Sequence, residues 1–378
     1  MSPFGLIIFW ISYNLKILCD IMIIILHFIR LVNSLEYVNE INLNEAIIHI
    51  LDSNGEQPVL NEFPLVLVEE TYEYILKHLQ KCLRDEELKY ALFNNERNIV
   101  KELAFEYFEG KSDLIGISKE IANQLFVLMK SRGNIPSCDL MVVSITTEFG
   151  PMVAILKMDY VKNYTHNIDF IDNKIGINII PQFIGLPSSG QRIQKCAFIK
   201  PLKEGNKFDL MVIDKQNKSK DDDYGSNYFI SNFLGCTIID NERDMTRNFI
   251  KVAEKWTRTN LKDNADAQEA VRSSIKKSLK EEEEIDIKVL SKNMFSDDEA
   301  SEKFVQYVKE QGLSENLPVD KAWVDNKLKR VRLKIDKDID IYIDHETYDD
   351  ASRFEIVRNG DGTINLHIKH VKNYIEKN

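Results

Sequence analysis

Five strand-like runs follow one another in the middle of this 378-residue chain, and they constrain its fold more than any other feature. The runs cover residues 140–146, 152–160, 175–180, 195–199 and 208–213. Phe149-Gly150-Pro151 connects the first two tightly, as in a hairpin. Consecutive strands joined by short loops predict an antiparallel sheet with helices packed against it.

Helical periodicity flanks these strands on both sides. Residues 44–128 are predicted to be mainly helical, and Gly133 with Pro136 ends the last helix. Further helices are expected at 228–234, 241–260, 265–282 and 297–311. The predicted fold class is therefore α+β, with N-terminal helices packed on a largely antiparallel sheet, then a helical middle region and a small C-terminal β unit.

The same patterns predict the domain organisation. An apolar leader occupies residues 1–34, and an α+β domain is expected at 35–220. Asp221–Gly225 is predicted to be a linker that opens a helical region at 221–316. Leu317-Pro318 begins the small β-rich unit, at 317–378. A chain of this length can form two or three such cores.

Sites for catalysis, metals or cofactors are not indicated. The five cysteines are scattered without a Cys-x-x-Cys pair, which is typical of reduced thiols in a cytosolic protein. No Walker A, Gly-x-Ser-x-Gly or His-Glu-x-x-His motif occurs. Glu148, Lys157 and Asp159 flank the predicted hairpin and leave a metal-dependent nuclease open as a minor alternative, although no acid-x-lysine triplet is present.

Cations recur every three or four residues in a predicted helix near residue 250. On a helix they fall within an arc of about 120°, opposite Phe249, Val252 and Trp256. A stripe of positive charge of this kind could bind the phosphates of a nucleic acid. Nothing in the sequence implies a cofactor. The candidate binding residues are Arg243, Arg247, Lys251, Lys255, Arg258 and Lys262.

Two observations argue against that interpretation. Exposed faces of amphipathic helices often carry Lys and Arg only for solubility, and Glu254 is placed to pair with Arg258. The formal net charge of −11 also opposes binding to phosphates unless the charges are segregated. Segregation is visible, because eight cations lie between Arg192 and Lys220, and acidic blocks occur at 221–223 and 281–284. The helix is thus a candidate interface or a solvated face.

A second basic row is predicted to be neutralised internally. Alternation places Arg330, Arg332 and Lys334 on one face of a strand. The next strand places Asp338, Asp340 and Asp344 on the corresponding face. A hairpin turning at Asp336-Lys337 would set these charges side by side, which specifies the strand register.

Several phrases of the sequence resemble one bacterial family. They are NEAIIHILD at 44–52, DEELKYALF at 85–93, FISNFLGC at 229–236 with the helix after it, LSK at 290–292, and the strands IDIYID and TINLHIKH. Together they resemble the nucleoid-associated protein family NdpA (YejK), over about Glu36 to the C-terminus.

The resemblance implies a cytoplasmic, nucleoid-associated protein that binds double-stranded DNA, with RNA as a second candidate, without sequence specificity. The resemblance does not assign a catalytic role to any residue of this chain. An acidic adaptor that reaches the nucleoid through protein partners is the alternative, and a homo-oligomer is compatible with either.

The leader at residues 1–34 is far more apolar than the rest, and the resemblance begins only after it. Translation from a start placed too early, with true initiation at Leu35, is the favoured explanation. A membrane anchor is a second explanation, but Lys16 and Asp20 would lie within the span. A buried extra helix is the third. Only the anchor would give the protein a membrane partner.

Initiation at Leu35 has a direct test. A protein that begins there with Met should be soluble and as stable as the full chain. Peptide mapping of the protein from its native host should find nothing upstream of residue 35. Peptides from 2–30, or native protein in the membrane fraction, would contradict this and favour the anchor.

Overall fold

The computed structural model describes residues 36–172, 174–188, 191–203, 206–215, 228–327, 330–335 and 338–373. The leader and the expected linker at 221–225 lie outside these residues. The chain forms two compact units, Glu36–Asp240 and the described part of Asn241–Asn378.

The first unit is built on an antiparallel sheet that has seven strands among the described residues. Its strands, in chain order and with an outlying pair included, are β1 (Ile41–Leu51), β2 (Lys89–Phe93), β3 (Cys138–Thr147), β4 (Gly150–Asp159), β5 (Val161–Ile171), β6 (Lys174–Ile184), β7 (Lys195–Ile199), β8 (Leu210–Asp214) and β9 (Cys236–Ile239). The order across the sheet is β1-β3-β4-β7-β8-β2-β9. Thr147 pairs with Gly150 in the expected hairpin, so the α+β class and the antiparallel sheet are confirmed.

One prediction at the start of this unit is wrong. Residues 44–51 were expected to be helical, but they lie in β1, which pairs along its length with β3. Ala46, Ile47, His49 and Leu51 are fully buried there. A short apolar run that is buried on both sides does not show by its spacing alone whether it is a helix or a strand.

Helices cover both faces of the sheet. They are α1 (Glu69–Leu83), α2 (Ile99–Phe108), α3 (Leu114–Arg132) and a π-helical segment, Tyr228–Leu234. Residues of α2, α3 and the π-helical segment share one apolar cluster with β1, β3, β4, β7 and β8. On the opposite face, Cys82 of α1 lies against Cys196 of β7. Gly133 ends α3, as expected from the sequence, and its backbone adopts the left-handed conformation with φ of 70°.

A row of buried charges crosses the sheet at one end of this core. Lys157 of β4 is the register partner of Lys195 of β7, which is in turn the partner of Asp214 of β8. Lys157 forms an ion pair with Asp159, and Lys195 forms one with Asp214. The Lys195 ammonium also lies 5.1 Å from the ring centroid of Tyr228. Each buried cation thus has a carboxylate partner, which offsets the cost of removing it from water.

The second unit is a helical cluster followed by small β elements. Its helices are α4 (Glu242–Asn260), α5 (Ala265–Glu281), α6 (Ile287–Met294), α7 (Asp298–Glu310), α8 (Lys321–Lys327) and α9 (His345–Asp349). Its strands are β10 (Glu284–Asp286), β11 (Asn316–Pro318), β12 (Arg330–Ile335), β13 (Ile339–Asp344), β14 (Phe354–Arg358) and β15 (Ile364–Ile368). They pair antiparallel as β10-β11, β12-β13 and β14-β15.

The pairing of β12 with β13 confirms the expected hairpin, and it places one cation of the basic row, Arg332, in an ion pair with an aspartate. Lys334 faces Asp340 and Arg330 faces Asp344 in the register. The Nε atom of Arg332 lies 3.2 Å from Asp340 Oδ1, and its guanidinium lies 5.1 Å from the ring centroid of Tyr342. The turn expected at residues 336 and 337 lies outside the described residues.

The two units divide the chain differently from the expected domains. The π-helical segment packs in the first core and β9 pairs with β2, so the first unit extends beyond residue 220 to Asp240. The boundary expected at 316–317 also falls inside a unit, because β11 pairs with β10. Both boundaries differ from the expected ones because strands far apart in the sequence pair with each other, and the local sequence pattern does not show such pairing.

His49 in β1 illustrates how tightly the first core constrains a polar side chain. Its ring accepts a hydrogen bond at Nδ1 from the backbone N–H of Asn61, at 3.0 Å. Its Nε2 lies 2.9 Å from the Ser118 hydroxyl, which donates its own proton to the Ile115 carbonyl. These partners require a neutral ring that is protonated at Nε2. Burial, with a smaller contribution from Lys119, lowers the pKa of His49 from 6.5 to about 4.

The protein should therefore lose stability in acid because of this ring. Since the folded pKa lies below the unfolded pKa, the contribution is complete above pH 6.5 and is lost as the pH falls towards 4. Urea unfolding of wild type and His49→Gln at pH 7 and pH 4.5 measures it, with His367→Gln as an exposed control. The His49 variant should lose less stability between the two pH values than wild type and the control. Equal losses in all three proteins would contradict the assignment.

Candidate nucleic-acid interface

The candidate interface lies on α4, which the sequence specifies well. The Asn241 side chain caps the helix by accepting a hydrogen bond from the Asp244 N–H, at 2.8 Å. Phe249, Val252 and Trp256 are buried, as the periodicity predicted. The ring of Trp256 packs edge-on against Phe304 of α7, with the centroids 5.2 Å apart. This packing fixes which side of α4 faces the solvent.

Two of the six predicted cations do not lie on that exposed side. Arg243 is buried, with 4% of its surface exposed, so it is not available to a phosphate group. The side chain of Arg247 is 15% exposed and lies 3.4 Å from Asp244. The first turns of α4 are buried more fully than an amphipathic pattern indicates, and this shortens the basic stripe.

The other four predicted cations, Lys251, Lys255, Arg258 and Lys262, are exposed. Arg258 is partly neutralised, because its Nε lies 2.6 Å from Glu254, as the sequence suggested. Arg272 of α5 binds the same carboxylate at 2.9 Å. Burial alone would raise the pKa of Glu254, but the hydrogen bonds from Arg272 and Arg258 outweigh it and lower the pKa. Glu254 therefore stays charged at neutral pH.

Lys251, Lys255 and Lys262 form no ion pair within the described part of the chain. Lys251 and Lys255 are one turn apart on α4, which places their side chains about 6 Å apart along the helix axis. Lys262 follows Leu261, the residue that ends the helix. We call these three residues the lysine stripe. Flexible, exposed ammonium groups in a row can contact successive phosphates without reading bases.

The cations between Arg192 and Lys220, the second basic region of the sequence, are largely committed inside the first unit. Lys195 pairs with Asp214, Lys200 lies 2.6 Å from Glu36, and Lys215 lies 2.5 Å from Asp85. Residues 216–220 lie outside the described residues. Pairing across the fold leaves this region less positive than its composition indicates.

A cleft beside α1 brings together cations that sequence reasoning missed. It has a volume of about 830 Å³ and is lined by Lys77, Lys81, Arg84, Arg192 and Lys215 together with Asp85, Glu86 and Glu87. The spacing of residues 77, 81 and 84 on one helix was the signal that could have revealed it. The acidic side chains offset much of the charge, so the cleft is a weaker phosphate site than the lysine stripe.

The residues of the minor nuclease alternative do not converge. Glu148 lies in the turn before β4 and accepts a hydrogen bond from the Asn39 N–H, at 2.7 Å. Lys157 and Asp159 lie at the far end of β4, about 30 Å along the strand, and pair with each other. Within the described residues no group of three or more His, Cys, Asp or Glu side chains is placed to hold a metal ion.

Among the described residues, no helix combines the length and apolar character needed to cross a bilayer. No curated protein matches the chain. A protein family described as nucleoid-associated protein YejK matches residues 47–376, which is most of the sequence and includes both units. The chain therefore belongs to the nucleoid-associated protein YejK family.

Proposed function

We propose that this protein associates with the nucleoid, in the cytoplasm, by direct and sequence-independent contact between the lysine stripe and nucleic-acid phosphates. Double-stranded DNA is the main ligand, and RNA is a second ligand because the contact reads only the backbone. The observation that carries the proposal is the exposure of Lys251, Lys255 and Lys262 without a carboxylate partner in the described residues. Arg258 contributes at the edge of the stripe.

The net charge of −11 limits how strong such binding can be. Most of the protein repels a polyanion, so the contact must be local and its affinity must fall steeply with salt. A protein of this kind binds DNA at low ionic strength and is released as salt rises. The same acidity supports the second candidate function, an adaptor that reaches the nucleoid through a protein partner.

Replacing Lys251, Lys255 and Lys262 with Gln tests the proposal. Gln is a good helix former, and the three substitutions leave the buried residues Phe249, Val252 and Trp256 unchanged. The second unit should therefore stay folded. Affinity should fall similarly for unrelated DNA sequences. The slope of log affinity against log salt should flatten by up to about 3, because each lost phosphate contact removes about 0.9 from it. Gel-shift titrations at several salt concentrations measure both effects.

A control variant separates this contact from a general loss of positive charge. Lys288, Lys303 and Lys309 are exposed lysines of the same unit, and each pairs with a glutamate. Changing these three to Gln alters the net charge equally but should leave the salt slope nearly unchanged. Equal slopes in both variants would exclude the stripe as the contact surface. If even the wild-type protein fails to bind DNA or RNA at low salt, the adaptor function is supported instead.

A further inference from the structure

The strands β5 and β6 form a two-stranded hairpin, Val161–Ile184, which we call the arm. Its strands pair over eleven positions and belong to no larger sheet among the described residues. Eleven residues extend over about 37 Å. An isolated two-stranded hairpin is marginally stable in water, so an arm of this length requires packing on one of its faces.

The two faces of the arm differ sharply in chemistry. One face carries Asn163, Thr165, Asn167 and Asp169 on β5. Its groups bond to one another, since Asp169 accepts hydrogen bonds from the Asn167 and Asn178 amides at 2.9 and 3.0 Å. Val161 and Ile180 also lie on this face, at 46% and 41% exposed, but polar side chains separate them, so this face is the more compatible of the two with water.

The other face is exposed and mostly apolar, and its two polar side chains are Lys162 and His166. The cross-strand pairs Phe170–Ile175 and Ile168–Ile177 lie in its outer half. Their side chains are 53–76% exposed, and Ile179 beside them is 78% exposed. Tyr164 and Phe183, nearer the base, are 66% and 62% exposed.

The size of the apolar face matches one half of a protein interface. Seven large side chains that each expose roughly 100 Å² give roughly 700 Å², close to the ~800 Å² that one partner of a stable complex buries. A monomeric protein rarely leaves an apolar patch of more than about 300–600 Å² in contact with water.

Charge indicates which partner fits. The arm carries Lys162 and Lys174 against Asp169 and Asp172, so its formal charge is zero. A neutral arm offers nothing to attract nucleic-acid phosphates. Two copies of a chain with a net charge of −11 repel each other over most of their surface, and a neutral apolar arm lets them meet without that cost.

We propose that the apolar face of the arm packs against the same face of a second copy of this chain, forming a two-fold symmetric homodimer. Two twisted β faces of branched and aromatic side chains pack about 10 Å apart and are complementary to themselves. The pair His166–Ile179 lies at the middle of the face, so Ile179 and the exposed His166 both lie near the two-fold axis. This inference does not depend on the lysine stripe or on nucleic-acid binding.

Light scattering after gel filtration of the full chain tests the dimer. The wild type should be dimeric at micromolar concentration. Changing Ile168, Ile177 and Ile179 to Thr keeps β-branched side chains, so the hairpin can still form, but it should raise the dimer Kd by at least about 100-fold. The control variant Val66→Thr, Val127→Thr, Val289→Thr changes three other exposed apolar side chains and should stay dimeric.

Cross-linking tests the geometry without weakening the interface. Cysteines 82, 138, 196 and 236 are buried. Cys19 lies outside the described residues and is replaced with Ser, so that every native thiol left in the protein is a buried one. In that background Ile179→Cys should give a disulfide-linked dimer on mild oxidation. Asn178→Cys, the neighbouring position on the polar face, should not.

Three results would overturn the proposal. A monomeric wild type at tens of micromolar would show that no such dimer forms. A monomer that instead co-floats with lipid vesicles would assign the apolar face to a membrane surface. A dimer that survives the triple Thr variant, with no cross-link at Ile179→Cys, would place the interface elsewhere.

Discussion

Internal ion pairing decides which charged surface this protein can present to a ligand. The chain has 49 Lys and Arg against 60 Asp and Glu, so cations in a basic segment readily find a carboxylate within the fold. Lys195 and Lys215 are neutralised in the first unit by Asp214 and Asp85. Arg332 is neutralised in the second unit by Asp340. Positive charge in the sequence is therefore a poor guide to positive charge on the surface, and the nucleic-acid contact that we propose rests on cations that stay exposed without a carboxylate in the described residues.

The lysine stripe and the arm are two kinds of surface that this internal ion pairing leaves exposed, one positively charged and one without net charge. Burial of Phe249 and Trp256 turns Lys251 and Lys255 outward, where no carboxylate of the described chain reaches them. The arm avoids charge altogether and exposes Ile177 and Ile179 instead. An acidic protein can thus offer one local contact to a polyanion and one neutral contact to another acidic protein. The family to which the chain belongs is consistent with a role at the nucleoid.

The sequence predicted elements wherever the local pattern was decisive. The spacing of Phe249, Val252 and Trp256 predicted α4 and its buried face, and alternation predicted β12 and β13 with their charged side chains on a common face. The sequence-based predictions failed where contacts between segments far apart in the chain determine the structure. Residues 44–51 fit a helix by spacing, but β3 holds them in a strand. Arg243 fits the basic arc by position, yet burial removes it from the surface. Strand β5 was missed because Lys162 and His166 interrupt its apolar alternation, and its face is exposed instead of buried.

Lysine footprinting tests the central claim most directly, because it reports on each ammonium group in the unmodified protein. The protein would be acetylated briefly with and without saturating duplex DNA at low salt, and each lysine would be quantified by mass spectrometry. We expect DNA to protect Lys251, Lys255 and Lys262 several-fold, while Lys288, Lys303 and Lys309 keep their reactivity. Protection of the second group, or no protection of the stripe while DNA is bound, would contradict the account.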